Sequence, residues 1–270
     1  MVIADISRRN SIVKGFTCIG GEYINSRKRT CSKSSPLEVS FFIFIYLVNL
    51  SSNFREGGNF IQDSSDELRR QIYILFSHLL HRPDSGLRKE LCEGVHLELF
   101  ERYDEFSHSP PIPDSWQPEN IPELGEWQDI WAKEINFSRA DVNFIESVYK
   151  PWTMDDSCQM PFADEKGFIM GDWAHHMLHL YEQLGFELPD SFSHCPDHLL
   201  LELEFMSLLV EEGDHQHQQQ FLHQHLNWID DLLVEAQEEE LDKFYIDLIK
   251  WLLEFLRRER EYLSSFTAAF

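Results

Sequence analysis

One short stretch of the sequence combines residue types that bind ligands, Cys195-Pro-Asp-His-Leu-Leu-Leu-Glu-Leu-Glu-Phe-Met-Ser-Leu-Leu209. Proline is favoured in the first turn of a helix, so Pro196 predicts that a helix begins there. Asp197 would then lie in the first helical turn, where the positive end of the helix stabilises its carboxylate. We expect this carboxylate to be accessible to a ligand.

The residues that follow would form a mixed surface on one face of the predicted helix. His198, Glu202 and the pair Phe205 and Met206 fall on adjacent turns. With Asp197 they offer two carboxylates, a titratable ring and an apolar floor, which suits a cationic, apolar peptide. The alternative is an ordinary helix start with Met206 in the core, and the residue types alone leave both interpretations open.

The 13 histidines raise the question of a metal site. His175 and His179 share one helical face with i, i+4 spacing, and His176 lies between them. However, no Glu follows the first His as in a zinc-protease helix, and no third ligand is identifiable. The runs Asp214-His-Gln-His217 and His223-Gln-His225 lie in a Gln-rich polar stretch that resembles a solvated loop. We therefore predict surface histidines and no metal.

The sequence has none of the common catalytic signatures. It lacks the serine-hydrolase elbow, the phosphate-binding loop and the dinucleotide-binding glycine motif, and it has only 12 Gly. Its cysteines are single and contain no C-x-x-C pair, which suits a reducing compartment such as the cytoplasm. We predict that the chain is not an enzyme, has no catalytic residues and needs no cofactor.

Charge is distributed unevenly along the 270 residues, whose formal net charge is −24. Residues 1–62 carry 8 Lys and Arg against 4 Asp and Glu, which leaves 15 against 43 for residues 63–270. A body this acidic repels nucleic acid and anionic lipid and attracts basic peptides. For most of these carboxylates the simpler interpretation is a solvated surface that keeps the protein soluble.

The elements that would position the candidate residues are helices. After Ser64 or Ser65, which can cap a helix, apolar residues recur on one face up to Leu79. A second helical stretch covers about Leu87 to Tyr103. Five prolines then follow within residues 110–122, which excludes a helix and predicts a hinge or surface loop.

Helical periodicity resumes after this connector. The predicted helices start at Asp172, Pro196, Phe221 and Leu241, and Gly185 and Gly213 end the first two of them. No stretch of the body alternates long enough for a strand. The predicted fold is all-α: a single helical-bundle domain, residues 63–270, of about seven to nine helices with a Pro-rich hinge loop.

The first sixty residues differ from the body. Phe41-Phe-Ile-Phe-Ile-Tyr-Leu-Val48 is the most apolar run, but it is far shorter than the ~20 residues that a membrane helix needs. The basic residues before it resemble a signal peptide only superficially, because no small-residue cleavage site follows. We expect residues 1–62 to be an extension outside the folded domain and predict no stable membrane insertion, with a membrane tether as the alternative.

Four motifs, taken in order, resemble one known family. Glu101-Arg-Tyr-Asp-Glu-Phe106 resembles its Tyr-x-x-Leu-Phe segment, and Ile145-Glu-Ser-Val-Tyr149 resembles its Glu-Ser-Val-Tyr segment. Leu180-Tyr-Glu-Gln-Leu-Gly-Phe186 resembles its Tyr-x-x-Leu-Gly helix end, and Pro196-Asp-His198 its Pro-Asp-His signature. The family is that of the TorD/DmsD redox-enzyme maturation chaperones, related to the nitrate reductase delta-type assembly factors.

The resemblance implies an all-helical cytoplasmic chaperone. Such proteins bind the twin-arginine leader of a molybdopterin oxidoreductase catalytic subunit and delay its export until the cofactor is loaded. Asp197 and His198 become the best candidates for leader contacts, with Pro196, Glu202, Phe205 and Met206 on the same helix. The resemblance further implies three neighbours in the same groove, which are Glu146, Tyr149 and Trp152.

Two other functions stay open at this level. The first is an assembly factor of the same fold whose client has no leader and is not exported. The second, of another class, is a metal-dependent helical-bundle hydrolase that uses the histidine clusters. Metal analysis after chelator treatment would identify the second, and a pull-down with a leader-deleted client would distinguish the first.

Overall fold

The computed structural model describes residues 65–107, 109–136, 140 and 142–267. The predicted N-terminal extension, residues 1–62, lies outside the described residues, and its dispensability stays a prediction. The described ranges contain ten α-helices and no strand; the only β-type pairing among them is one isolated antiparallel bridge between Ile145 and His198. The prediction of an all-α helical domain is confirmed.

The helices are numbered in chain order. Their number exceeds the predicted seven to nine because two predicted helices are each split in two. Their bounds are α1 Ser65–Leu80, α2 Ser85–Cys92, α3 Val95–Asp104, α4 Leu124–Glu134, α5 Glu146–Tyr149, α6 Asp172–Leu184, α7 Leu199–Glu212, α8 His215–Gln224, α9 Ile229–Glu238 and α10 Lys243–Thr267. In the described part of the chain, none of them combines the length and hydrophobicity that a membrane crossing requires.

The stretch predicted as one helix from Leu87 to Tyr103 is interrupted at Gly94. This residue has a φ of 79°, a left-handed conformation that favours glycine and ends helical hydrogen bonding. The first of the two helices, α2, is capped by Asp84, whose carboxylate accepts a hydrogen bond from the Leu87 amide.

The prediction of a solvated loop at residues 214–217 is wrong, because this segment is the first turn of α8. The Asp214 side chain accepts hydrogen bonds from the amides of Gln216 and His217 and so caps the helix. The predicted single helix from Phe221 to Gln237 is also wrong. The chain leaves helical geometry between Gln224 and Ile229, and this break turns the side chains of His225 and Trp228 into the interior.

Helix α7 begins at Leu199 and not at Pro196 as predicted. His198 is its N-cap residue, and its Nδ1 atom accepts a hydrogen bond from the Leu200 amide at 3.2 Å. Gly213, with a φ of 75°, ends the helix as predicted. Helix α7 is buried on nearly all sides because α1 packs along it and α8 covers it, so Phe205 and Met206 belong to the core.

The Pro-rich connector contains no α-helix, as its prolines predict, but two 3₁₀-helical turns at Asp114–Trp116 and Pro118–Asn120. The Trp116 side chain is buried and stacks on Phe100, with 6.0 Å between ring centroids. The connector is thus fixed to the core by one aromatic anchor.

A buried ion pair joins helices that are distant in sequence. The Arg69 guanidinium on α1 donates to both carboxylate oxygens of Glu259 on α10, with nitrogen–oxygen distances of 2.8 to 3.0 Å. It also donates to Gln218 on α8 and to Asp66, while the Tyr73 hydroxyl donates to Glu259. This group, the Arg69–Glu259 cluster, holds three helices together.

Candidate functional site

Helices α5 and α7 meet at a junction in which each chain segment caps the other. The Asp197 carboxylate accepts a hydrogen bond from the Ser147 amide at 2.7 Å, and its carbonyl accepts one from the Glu146 amide at 3.0 Å. In return, the Leu199 amide donates to the Phe144 carbonyl at 2.8 Å. Asp197 therefore caps the four-residue helix α5, and we call this region the α5–α7 junction.

Glu146 is the centre of a buried polar network at this junction. Its Oε1 atom lies 2.5 Å from the Lys150 ammonium, and its Oε2 atom lies 2.7 Å from Nδ1 of His225. Burial opposes ionisation of Glu146, but the adjacent His225 and Lys150 outweigh it and hold the pKa of Glu146 below its usual value. Since an ionised carboxylate only accepts, the proton of this contact is on His225.

Glu202 faces Glu146 but has the opposite ionisation preference. Burial, followed by the negative charge of Glu146, raises the pKa of Glu202 well above its usual value. Its Oε2 atom accepts a hydrogen bond from the Trp228 indole at 3.2 Å. Burial and the adjacent anion therefore favour the neutral form of Glu202 beside an ionised Glu146.

Two aromatic and imidazole contacts extend the network toward the surface. The Tyr149 ring stacks on Trp228 with 5.0 Å between centroids, and its hydroxyl donates to Glu235. On the other side, Nδ1 of His176 lies 2.7 Å from Nε2 of His225. Burial lowers the pKa of His176 to about 4, so this ring is neutral near pH 7.

The structure brings most of the predicted site residues together, but inside the protein. Glu146, Asp197 and Glu202 are 0% exposed, against the expectation of an accessible Asp197 carboxylate. Of the other predicted residues, Trp152 alone is half-buried, and the remaining ones are buried: Pro196, His198, Phe205, Met206 and Tyr149. Their role in leader binding stays a prediction, since in this conformation a peptide reaches only Trp152.

Sequence reasoning missed the basic partners of the junction. The sequence places His225 in a surface run, but it is completely buried, whereas His175 and His179 are exposed, as the prediction of surface histidines requires. The i, i+4 spacing of Glu146 and Lys150 was a signal that could have identified one ion pair. His225 gave no local signal, because only the break between α8 and α9 turns it inward.

A cation site is the alternative interpretation of the same residues. One ligand atom each from Glu146, Glu202 and His225 lies within 4.8 Å of the others, all buried. A zinc ion, however, needs ligands at about 2.0–2.2 Å and usually a fourth one. The Lys150 ammonium already neutralises Glu146, which favours a hydrogen-bonded network over a bound cation. The absence of a metal remains a prediction.

The loop that carries Trp152, residues 151–171, is fixed to both neighbouring helices. The Trp152 amide donates to the Glu165 carbonyl at 3.1 Å, and the Asp172 amide at the start of α6 donates to the Trp152 carbonyl at 2.9 Å. Gly171 permits this contact, because a Cβ atom there would lie 2.3 Å from the Trp152 carbonyl oxygen. The loop therefore has a defined position above the junction.

Comparison with known proteins identifies the region that contains the junction. Residues 142–234 match the family model described as nitrate reductase delta subunit. This range spans helices α5 to α8, most of α9 and the loop 151–171. No curated protein and no solved structure matches the chain.

The match, together with the all-helical fold, indicates a redox-enzyme maturation chaperone. The match supports the resemblance to the TorD/DmsD-like family of these chaperones that the motifs predicted. Members of the family are chaperones and not catalysts, which confirms the prediction that the protein is not an enzyme.

Proposed function

We propose that this protein is a cytoplasmic chaperone that binds the twin-arginine leader of a molybdopterin oxidoreductase subunit and delays export until the cofactor is loaded. The observation that carries the proposal is the family match over residues 142–234, the region in which the predicted site residues converge. The acidic body supports it, since paired arginines bind best to carboxylates.

The buried residues act in this proposal as positioning residues. Asp197 caps α5, Glu146 ties α5 to Lys150 and His225, and the rigid α5 holds the loop that carries Trp152. His198 fixes the start of α7 and pairs with Ile145 in the isolated bridge. The leader would lie over this frame and contact the exposed surface above it.

Charge alone gives too little affinity for such a complex. An exposed ion pair contributes about 0–1 kcal/mol, whereas a micromolar complex needs about 8 kcal/mol. The apolar part of the leader must supply much of the difference. We therefore expect salt to weaken leader binding only partially.

The test is calorimetric titration of the leader of a molybdopterin oxidoreductase encoded beside this protein's gene. Asp197→Asn should weaken binding roughly tenfold by loosening the cap of α5, and His198→Ala should also weaken it. Asp129→Asn, an exposed change on α4, is the matched control, and circular dichroism checks folding. Wild-type affinity in both junction variants would show that the junction plays no part in binding.

A second candidate is an assembly factor for a subunit that is not exported. The description of the matching family, nitrate reductase delta subunit, is the observation that favours it. The two candidates differ in one measurement, a pull-down of the client with and without its leader. Equal capture of both forms would favour the assembly factor.

A further inference from the structure

The loop 151–171 exposes an unusual amount of apolar surface. Met154 is 55% exposed, Met160 49%, Ile169 47% and Phe168 40%. Four of the eight large exposed hydrophobic residues found in the described ranges thus belong to one loop. Exposed apolar side chains concentrated in one segment indicate an interaction site.

The loop presents this surface on a fixed aromatic frame. The Phe162 ring lies 5.1 Å from Trp152 and 5.2 Å from Phe168, so the three rings form a row. The backbone is held as well, because the Thr153 amide donates to Ala163 and the Gly167 amide donates to Val148 of α5. Each exposed residue lies within two positions of a ring of this row, so a partner meets rigid rings beside adaptable methionines.

The same loop carries an acidic charge. Its sequence contains four carboxylates and one ammonium, that of Lys166, which pairs with Asp231 on α9 at 2.9 Å. The four are Asp155, Asp156, Asp164 and Glu165, and all four are exposed. Within the described residues, Asp156, Asp164 and Glu165 form no ion pair. A cationic ligand can therefore bind these carboxylates without displacing a lysine or arginine.

We propose that the loop 151–171 is the docking surface for a peptide that is both basic and apolar. The inference rests on the proposed function and assigns the leader to a surface: its apolar segment contacts Met154, Met160 and Phe168, and its arginines contact Asp156, Asp164 and Glu165. Charge complementarity selects this partner over a second copy of the chain, which would bring a second acidic loop to the first.

The test uses a synthetic peptide with two adjacent arginines followed by a stretch of Leu and Ala. Met160→Ser with Phe168→Ser should weaken its binding by about tenfold or more, because two exposed apolar side chains lose their contacts. Phe106→Ser is the matched control, since Phe106 is 46% exposed at the end of α3, which packs on α1 and α2. This control should bind the peptide like wild type.

A second arm tests the charge assignment. Asp156→Asn, Asp164→Asn and Glu165→Gln together should weaken binding of the arginine peptide and leave binding of a glutamine-substituted peptide unchanged. If wild type binds the peptide and the loop variants bind it equally well, the loop is not the docking surface, while the proposed function stands. If wild type binds no peptide, both the inference and the proposed function fail. A concentration-dependent dimer that Met160→Ser with Phe168→Ser abolishes would instead make the loop a self-association surface and overturn the inference.

Discussion

The protein contains two buried polar networks, the Arg69–Glu259 cluster and the α5–α7 junction. Both join segments that are distant in sequence, and in both the central acid and base are buried: Glu259 with Arg69 in the first, Glu146 with Lys150 in the second. In the first, every nitrogen of the Arg69 guanidinium has an acceptor, and Glu259 accepts from Arg69 and Tyr73. Its one buried cation faces one buried anion.

The α5–α7 junction has a different balance of buried acidic and basic groups. It holds three buried carboxyl groups, Glu146, Asp197 and Glu202, and, of the residues described, Glu146 alone forms an ion pair with the Lys150 ammonium. Burial raises the pKa of Asp197, and burial with the adjacent Glu146 raises that of Glu202. Nε2 of His176 is also buried and has no hydrogen-bond partner among the described residues.

The difference indicates separate roles. A buried pair with all its hydrogen bonds satisfied fixes helices in place. A buried region with surplus acid and titratable rings is sensitive to protonation, because burial and neighbouring charges shift its pKa values. The junction lies under the exposed loop 151–171 and within the family match, whereas Arg69 and Glu259 lie outside that match.

The largest effect should come from breaking the satisfied cluster. Arg69→Met leaves Glu259 buried without its cation, which should lower the free energy of unfolding by about 3–5 kcal/mol. Chemical denaturation followed by circular dichroism measures this change. Arg69→Met combined with Glu259→Met should recover part of the loss, and a single variant as stable as wild type would contradict the assignment of a structural clamp.

Acid should destabilise the protein through the buried His198 and the half-buried His176, which lie at the junction or border it. Burial lowers the pKa of His176 to about 4 and that of His198 to about 3, from 6.5. Between pH 6.5 and about 4 the unfolded chain binds more protons than the folded one, so stability falls as the pH drops.

Thermal unfolding measured across this pH range gives the slope of the free energy of unfolding against pH. His176→Gln should reduce it by up to about one proton, or ~1.4 kcal/mol per pH unit. His179→Gln, an exposed neighbour on α6, should leave it unchanged. Equal slopes in wild type and His176→Gln would show that this ring does not titrate with unfolding.

The smallest effect is expected from Glu202→Gln. Glu202 is already neutral in the folded protein, so the amide should lower stability by less than about 1 kcal/mol at pH 7. Glu146→Gln is the matched comparison and should cost about 2 kcal/mol, because it removes the anion between Lys150 and His225. If Glu202→Gln lowered stability more than Glu146→Gln in denaturation at pH 7, Glu202 and not Glu146 would be the ionised acid.

Local sequence signals predicted the helices well where a cap or a stop residue was present. Gly185 and Gly213 end α6 and α7 in left-handed conformations, as predicted. Errors occurred where one residue interrupts a continuous periodic pattern. Gly94 splits one predicted helix, and the turn after Gln224 splits another.

The sequence predicted which residues form the candidate site better than it predicted where in the fold they lie. The Pro-Asp-His and Glu-Ser-Val-Tyr motifs lie together, although they are 50 residues apart between Asp197 and Ser147. Their exposure could not be predicted, because the amphipathic pattern around Asp197 fits both an accessible first turn and a buried cap. The hydrogen bond from the Ser147 amide and the complete burial of Asp197 decide for the cap.

The sequence by itself determined the helical fold, the acidic character and the resemblance to one chaperone family, because helical periodicity, composition and short motifs are local properties of the chain. The tertiary structure decided which of the charged residues are buried together and which acid of the pair Glu146 and Glu202 is ionised. A pKa depends on burial and on neighbouring charges, and here those neighbours, Lys150 and His225, come from separate helical segments that only the packed fold brings within hydrogen-bond distance of one carboxylate.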